Sequence, residues 1–229
     1  MARTALGVVV ATFLVVLAAA VCVPGEVGAG LARPASPGRL VALTVDDGPS
    51  RTYTPPVLAT LQRHGARATF FVVGKAAEAA PDLVRAELAQ GSEVAVHTMT
   101  HPHMDLLTPA QAREEVDGGK RGVERITGVP PVFFRPPRGG RTPGGDAAAA
   151  RAGLRGVLWD ECLNHDNDPS ARAAADRVLA RVRPGDVILV HDGGARRELG
   201  VAALELLLTD LGRRGYRVVS LSELYGIAR

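Results

Sequence analysis

The sequence contains few aromatic residues, almost no lysine and two cysteines, and each scarcity narrows the kind of protein it encodes. Aromatic side chains make up 4% of the 229 residues, and the formal net charge is only +3, from 27 basic and 24 acidic residues. Two lysines and few stacking side chains give no argument for a nucleic-acid-binding groove. The hydrophobic content of 46% excludes a disordered chain. The 26 Gly and 16 Pro show no collagen-like period.

The two cysteines do not form a disulfide framework of the kind that holds small secreted domains together. Cys22 lies within a continuous apolar stretch, residues 5–23, whereas Cys162 lies far along the chain. We therefore expect Cys162 to have no intrachain partner in the mature domain. A buried hydrophobic core, and not cross-linking, is expected to stabilise the fold.

The apolar stretch at the start of the chain has the features of a targeting segment. It follows Arg3 and is succeeded by the small residues Gly28 and Ala29, which is typical of a secretory signal. Its 19 residues are also just enough to span a bilayer. Residues 1–29 are therefore interpreted as a signal peptide or an N-terminal membrane anchor, residues 30–38 as a linker, and residues 39–229 as one domain. Either interpretation predicts an exported protein, secreted or held at the cell envelope.

The remainder of the chain alternates short apolar runs with segments of helical periodicity. The predicted strands are 40–45, 68–73, 93–96, 132–134, 156–159, 187–190 and 216–219. The predicted helices are 55–64, 81–90, 109–126, 146–152, 170–182 and 199–214. This alternation predicts parallel strands with crossover helices, in an open sheet or a barrel. Conspicuous polar residues follow the strand ends, which converge on one mouth in a barrel, so we expect a (β/α) barrel of about seven parallel strands in a single α/β domain.

Candidate metal ligands follow two of these strands. Asp46 and Asp47 end the first strand before a Gly-Pro turn, and on extended backbone their side chains would point to opposite sides. One carboxylate could then bind a metal ion while the other activates a water. His97 and His101 would complete a three-ligand site with open positions, as hydrolytic zinc requires. His103 is a weaker competitor because of its spacing behind a proline.

Two further polar residues follow the fourth and sixth strands. Arg135 presents a guanidinium fork that can hold a carboxylate ionised and oriented. His191 can donate a proton near neutral pH, where imidazole titrates. Each motif taken alone also fits a structural role: a turn, solvated loop histidines, a surface ion pair or a strand cap. The combination at successive strand ends is what favours an active site.

Together these motifs resemble those of the polysaccharide deacetylases with a NodB homology domain, carbohydrate esterase family 4. The resemblance covers essentially the whole mature domain and rests on four motifs in the family's order: Asp46-Asp47-Gly48-Pro49, His97-Thr98-x-x-His101-Pro102, Arg135-Pro136-Pro137 and Leu189-x-His191. It implies the family's distorted (β/α) barrel. It also implies that Asp47, His97 and His101 bind a divalent metal ion, zinc before cobalt. By the same resemblance, Asp46 is the general base, Arg135 positions it, and His191 is the general acid.

The resemblance also assigns substrate contacts, and the sequence departs from the family at two places. The backbone N–H of Arg138 would bind the oxyanion, although the family commonly has tyrosine at this position. Leu189 would contact the acetyl methyl group or simply belong to the core. The family's tryptophan-led motif is only partly present after Trp159. Asp166 is the first candidate for the acid that tunes His191, and Asp168 is the second.

These observations predict an exported, metal-dependent hydrolase that removes N-acetyl groups from an amino-sugar polymer, such as peptidoglycan or a chitin-like oligosaccharide. Three alternatives remain open at this point. They are an O-acetyl xylan esterase, a non-catalytic metal-containing carbohydrate-binding protein, and a hydrolase of small amides or cyclic imides. An acetylated glycan is the expected partner, with no nucleic acid and with membrane contact only through residues 5–23. The sequence leaves the oligomeric state open.

Overall fold

Parallel strands and intervening helices make up the part of the chain described by the computed structural model, residues 38–163, 168–194 and 196–228. The predicted signal or anchor segment 1–29, with Cys22, lies outside these residues, as does nearly all of the predicted linker 30–38. None of the described helices is both long and apolar enough to cross a membrane. The predicted single α/β domain is confirmed for the described residues.

Within the described ranges the sheet contains eight strands, and every pairing between them is parallel. They are β1 (Leu40–Asp46), β2 (Ala68–Val72), β3 (Glu93–Val96), β4 (Phe133–Phe134), β5 (Arg155–Gly156), β6 (Glu161–Cys162), β7 (Val187–His191) and β8 (Arg217–Val219). Their order is β5-β4-β3-β2-β1-β7-β6, and β8 pairs with the first half of β1. The sheet is curled, but no pairing joins its two end strands, β5 and β6, in the described residues. It therefore forms a half-barrel and not a closed barrel. The predicted distorted barrel is confirmed, with one short strand, β6, that the sequence did not indicate.

The described part of the chain contains eight α-helices, of which seven lie between strands and α8 follows β8. They are α1 (Thr54–Arg63), α2 (Gly74–Ala79), α3 (Pro81–Ala89), α4 (Pro109–Thr127), α5 (Pro143–Arg151), α6 (Ala171–Leu179), α7 (Glu198–Arg213) and α8 (Leu221–Tyr225). The sequence analysis missed α2 and α8 because six and five residues are too short to show a helical period. Helix α4 begins at a capping box between Thr108 and Gln111 and ends at Gly128, whose φ of +69° suits the left-handed cap.

The strands separate two hydrophobic clusters. Because successive side chains of a strand point to opposite faces, Ile188 and Val190 of β7 pack in the larger cluster beneath the helices. Val187 and Leu189 of the same strand join the smaller cluster inside the curl of the sheet. Trp159, the single tryptophan of the chain, also lies in this inner cluster. The inner cluster packs against the concave side of the curled sheet.

Cys162 in β6 is buried in the inner cluster. It is disulfide-bonded in the structure, and its partner lies outside the described residues. The sequence has one other cysteine, Cys22, which belongs to the predicted signal or anchor segment. The expectation that Cys162 has no partner within the mature domain, residues 39–229, therefore stays a prediction.

Two buried glutamates of the fold have opposite environments. Glu93 of β3 accepts hydrogen bonds from the Thr69 hydroxyl at 2.8 Å and from the Ser222 hydroxyl at 2.8 Å, tying α8 to the sheet. Glu87 of α3 is also fully buried, but neither of its carboxylate oxygens has a hydrogen-bond partner among the described residues. Burial, with a contribution from the Asp192 carboxylate, raises the pKa of Glu87 well above its ordinary 4.5. Glu87 is therefore expected to destabilise the native state at neutral pH.

We expect replacement of Glu87 to stabilise the protein, with a gain that grows with pH. The unfolded chain loses the Glu87 proton near pH 4.5, whereas the native state retains it to higher pH, so stability falls as pH rises through this interval. Glu87→Leu removes the unpaired polar group and should raise the free energy of unfolding by about 1–3 kcal/mol or more at pH 8. Urea unfolding at pH 4.5 and pH 8 measures the difference between variant and wild type.

Glu87→Gln serves as the matched control because it keeps the shape and polarity of the side chain but cannot ionise. Its free energy of unfolding should equal that of wild type at pH 4.5 and exceed it only at higher pH. If both variants exceeded wild type in free energy of unfolding by the same amount at both pH values, ionisation of Glu87 would not be the cause.

Candidate active site

The carboxyl ends of four parallel strands bring the sequence-predicted polar residues together. Asp46 ends β1 and His191 ends β7, and their Cα atoms are direct partners in the register of the two strands. His97 follows β3, and Arg135 follows β4. The four side chains therefore meet at one mouth of the half-barrel, where active sites of barrel enzymes are built.

The Arg135 side chain is fully buried, and its guanidinium has a partner on every side. Nη1 donates to Asp46 Oδ1 at 2.7 Å and to the Thr44 hydroxyl at 2.9 Å. Nε donates to the Val157 carbonyl at 3.0 Å, and Nη2 donates to the Leu158 carbonyl at 2.8 Å. These contacts fix the orientation of the Asp46 carboxylate, which is itself only 2% exposed.

Two aromatic rings complete the environment of this guanidinium. Its Cζ lies 4.2 Å from the centroid of the Phe71 ring and 5.4 Å from that of Trp159. Contact with aromatic faces compensates part of the hydration that a buried cation loses. Burial lowers the pKa of Arg135 and the Asp46 carboxylate counteracts this, and a group with an ordinary pKa of 12.5 stays charged.

Asp47 and the two histidines after β3 form a compact cluster. Asp47 Oδ1 lies 3.3 Å from His97 Nε2 and 3.1 Å from His101 Nε2. One potential ligand atom from each residue lies within 4.8 Å of the others. His97 Nδ1 lies 2.8 Å from the Arg135 carbonyl, which fixes the ring and directs Nε2 toward Asp47.

This donor set fits a divalent metal ion. One carboxylate oxygen and two imidazole nitrogens are ligands that zinc accepts, and two ligands of a tetrahedral ion with bonds of about 2.0–2.1 Å are about 3.3 Å apart. Burial raises the pKa of Asp47, but hydrogen bonds with His101 and His97 outweigh it and hold that pKa well below its ordinary value. The carboxylate is therefore ionised. The Asp47 and His101 side chains are 16% and 26% exposed, so the cluster opens to the mouth.

Asp46 and Asp47 do not point to opposite sides of an extended strand, as the sequence analysis expected. Asp47 has a φ of +76°, so the chain turns out of the strand at this residue. Both carboxylates then border His97, with Asp46 Oδ2 at 3.9 Å and Asp47 Oδ1 at 3.3 Å from the same Nε2. The expectation failed because it assumed extended backbone through Asp47.

Left-handed backbone at non-glycine residues is concentrated around the cluster. The described residues contain five such positions: Asp47, Thr98, His101, Arg138 and Arg196. All five lie in segments that follow β1, β3, β4 or β7. Strained backbone of this kind persists where the surrounding structure imposes it, and it collects at functional sites.

His191 and Asp192 lie side by side at the end of β7 with opposite pKa shifts. Burial lowers the pKa of His191, and the Asp47 and Asp46 carboxylates oppose this shift. Burial raises the pKa of Asp192 to about 7, although a hydrogen bond from the Thr54 hydroxyl works against it. The sequence analysis missed Asp192 as a buried acid. Its place directly after His191 and before two glycines was the only sign of it.

The structure places the remaining sequence-predicted residues as follows. Arg138 is exposed, with Nη1 3.3 Å from the Pro102 carbonyl, next to His101. Leu189 is 1% exposed within the inner cluster. Asp166 lies outside the described residues.

Two other candidates have partners away from the cluster. Asp168 forms an ion pair with Arg177 at 2.7 Å. His103 is exposed, and its Nδ1 lies 3.9 Å from Asp105.

Arg197 is the charged residue at the cluster that sequence reasoning did not identify. Its Nη2 lies 3.2 Å from Asp47 Oδ2. Nothing in the local sequence distinguishes this arginine from the many others, because its partner is 150 residues away along the chain.

Comparison with known proteins agrees with this geometry. The profile of the family described as "Polysaccharide deacetylase" matches residues 33–157. A peptidoglycan-N-acetylglucosamine deacetylase of Bacillus cereus is 36% identical over 188 residues, covering 81% of this chain and 88% of its own length. A chitooligosaccharide deacetylase of Bradyrhizobium is 38% identical over 199 residues, covering 82% of this chain and 91% of its own.

Among solved structures, a family 4 carbohydrate esterase from Streptomyces lividans in complex with acetate superposes with a TM-score of 0.75. It shares 34% sequence identity, and the match covers 82% of this chain and 96% of that one. Sequence profile, relatives and fold thus point to the same group of enzymes, and the chain belongs to the polysaccharide deacetylase family, carbohydrate esterase family 4.

Proposed function

We propose that this protein is a metal-dependent deacetylase that hydrolyses N-acetyl groups of an amino-sugar polymer at the open mouth of the half-barrel. The observation that carries the proposal is the pairing of a buried, arginine-held carboxylate with a partly exposed carboxylate-histidine cluster, Asp46 beside Asp47, His97 and His101. In this arrangement Asp46 can accept a proton while the neighbouring cluster binds a cation.

Asp47, His97 and His101 would hold the divalent metal ion, for which zinc is our first choice. When bound, such an ion supplies Lewis-acid activation of a water and polarisation of the acetyl carbonyl. The three side chains leave the side toward the mouth free for these groups, because Asp47 and His101 are partly exposed while His97 is buried.

Asp46 serves as the general base. Arg135 occupies Asp46 Oδ1, so Oδ2, on the side of His97, is the oxygen available to accept a proton. The attacking water gives this proton to Asp46 while its oxygen bonds to the acetyl carbon. The double hydrogen bond from Arg135 to Asp46 and Thr44 keeps the carboxylate in one orientation, so no reorganisation is required at that moment.

His191 serves as the general acid on the other side of the reacting group. When the carbon–nitrogen bond breaks, His191, whose charged form the Asp46 and Asp47 carboxylates favour against burial, gives a proton to the departing amine, and acetate leaves with the oxygen of the water. The backbone N–H of Arg138 is proposed to donate to the oxyanion, and Leu189 to contact the acetyl methyl group. Both assignments rest on the family resemblance. The exposed Arg138 guanidinium makes this wall of the mouth cationic.

The substrate class follows from the relatives. Their names specify deacetylation of peptidoglycan N-acetylglucosamine and of chitooligosaccharides. An N-acetylated glucosamine polymer is therefore the substrate that we propose, ahead of acetylated xylan. Because such polymers lie outside the cytoplasm, the proposal includes export, which the apolar stretch 5–23 supports. Mass spectrometry of the N-terminus would show whether residues 1–29 are removed.

Acetate release from a panel of acetylated glycans tests the proposed function directly. With added zinc or cobalt, we expect release from N-acetylglucosamine oligomers or peptidoglycan, and loss of release after chelation. Asp46→Asn should lower kcat by about 10²–10⁴ because it removes the proton acceptor while keeping the shape of the side chain.

Asp105→Asn is the matched control, since Asp105 is an exposed carboxylate that follows His101 closely in the chain but lies outside the cluster. It should leave kcat within about twofold of wild type, as expected for an exposed site outside the cluster. Acetate released from acetylated xylan alone would favour the esterase alternative. No release from any glycan by metal-loaded protein would refute the proposed function.

The role of His191 can be tested by comparing a substrate whose leaving group must be protonated with one whose leaving group need not be. An amine leaves only when protonated, whereas 4-nitrophenolate leaves without a proton. We expect His191→Ala to lose about 10²–10⁴ in kcat on N-acetylated oligomers but far less on 4-nitrophenyl acetate. Equal losses on both substrates would show that His191 does not act as the general acid. Asp46→Asn, measured in parallel, should lose activity on both because each reaction needs the activated water.

A further inference from the structure

We propose that Arg197 is a positioning residue for the metal ligand Asp47: it holds one carboxylate oxygen so that the other alone faces His97 and His101. This inference rests on the proposed function only in taking Asp47, His97 and His101 as the metal site. It concerns a residue in the segment after β7, which none of the four family motifs includes.

The two oxygens of Asp47 have different partners. Oδ1 lies 3.3 Å and 3.1 Å from the Nε2 atoms of His97 and His101. Oδ2 lies 3.2 Å from Nη2 of Arg197. The carboxylate is thus held between the two imidazoles and a guanidinium, with one oxygen for each side.

Arg197 is itself fixed by the segment that carries it. Its Nε donates to the Gly193 carbonyl at 2.7 Å, and its side chain is only 21% exposed. Gly194, with a φ of +77°, lies against the guanidinium, since a Cβ there would be 3.2 Å from Nη2. A two-point attachment of this kind differs from an exposed ion pair, in which both side chains remain mobile.

The same segment also presses on the backbone of Asp47. A Cβ on Gly193 would come within 2.1 Å of the Asp47 carbonyl oxygen, so only glycine fits at that position. Asp47 is therefore confined from the β7 side by two contacts, one through Gly193 to its backbone and one through Arg197 to its side chain. The left-handed φ of +76° at Asp47 is compatible with this confinement.

The chemical consequence concerns how the carboxylate binds a cation. A free aspartate can offer one oxygen or two, and hydrogen-bond partners of metal ligands commonly decide the orientation. With Oδ2 engaged by Arg197, Asp47 offers Oδ1 alone. Three protein ligand atoms then leave positions open for water and substrate, as catalytic zinc sites require.

The test compares metal binding by three purified full-length variants, Arg197→Gln, Arg197→Lys and Arg196→Gln. Arg196 is an exposed neighbour in the same segment, so its variant removes an equal charge without touching Asp47. Zinc dissociation constants come from competition with a chelating dye, and the visible absorption of cobalt-loaded protein reports the number of ligands. Circular dichroism and thermal unfolding confirm that each variant is folded.

We expect Arg197→Gln to weaken zinc binding about 10–100-fold and to alter the cobalt spectrum, because Oδ2 is released. Arg196→Gln should behave as wild type. Arg197→Lys should fall between wild type and Arg197→Gln, since one ammonium cannot keep both attachments. Removing a nearby positive charge would by itself strengthen cation binding, so weakening separates positioning from charge.

Unchanged or tighter zinc binding by folded Arg197→Gln would overturn the proposal, as would equal weakening by Arg196→Gln. Failure of the proposed function has a different signature. Wild-type protein that binds no metal would refute the metal site itself, and wild-type protein that binds metal but releases no acetate would refute the reaction while leaving the role of Arg197 testable.

Discussion

The guanidinium of Arg135 lies fully buried among a carboxylate, a hydroxyl, two backbone carbonyls and two aromatic rings. Through these contacts it joins β1 to the segment after β5, and through its own carbonyl it holds His97 after β3. Removing one member of a buried pair leaves an uncompensated charge and typically costs about 3–5 kcal/mol. The orientation of Asp46 thus depends on the Arg135 side chain, and that of the His97 ring on the main-chain carbonyl of the same residue.

Asp46 and Asp47 are neighbours in sequence with different surroundings. Asp46 is 2% exposed and is held by Arg135, whereas the Asp47 side chain is 16% exposed and lies against the two histidines. The turn at Asp47, with its positive φ, separates the two environments within one peptide unit. A buried carboxylate with one free oxygen suits proton transfer, and a partly exposed one suits a cation that must also reach the substrate. Two acids of the same type can therefore perform different tasks a few ångströms apart.

The segments after β1 and β7 are interlocked behind this cluster. A Cβ on Gly48 would come within 2.3 Å of the Asp192 carboxylate, and one on Gly193 would meet the backbone of Asp47. Glycine is required at both positions by close approach, and not only by turn geometry. The contact places Asp192, the acid next to His191, against the segment that carries Asp47. Burial raises the pKa of Asp192, and it also raises the pKa of Glu87, to which the Asp192 carboxylate contributes.

The sequence by itself determined the fold class, the bounds of the long strands and the residues at their ends. Strands β1, β2, β3 and β7 fall within one residue of their predicted bounds because each is a buried and mostly apolar run. The two-residue strands β5 and β6 were displaced or missed, since so few residues show no period. Motif residues such as Asp46, His97 and His191 could be named in advance because each directly follows a strand.

Only the tertiary structure decided how these residues are held. The turn at Asp47 and the unpaired burial of Glu87 have no signature in local sequence. The ion pair between Asp47 and Arg197 joins residues 150 positions apart. Local pattern reports which face of an element is buried, whereas contacts between distant segments arise only when the strands are placed side by side. For that reason the motifs predicted which residues meet at the strand ends, but they did not predict that Arg197 contacts Asp47.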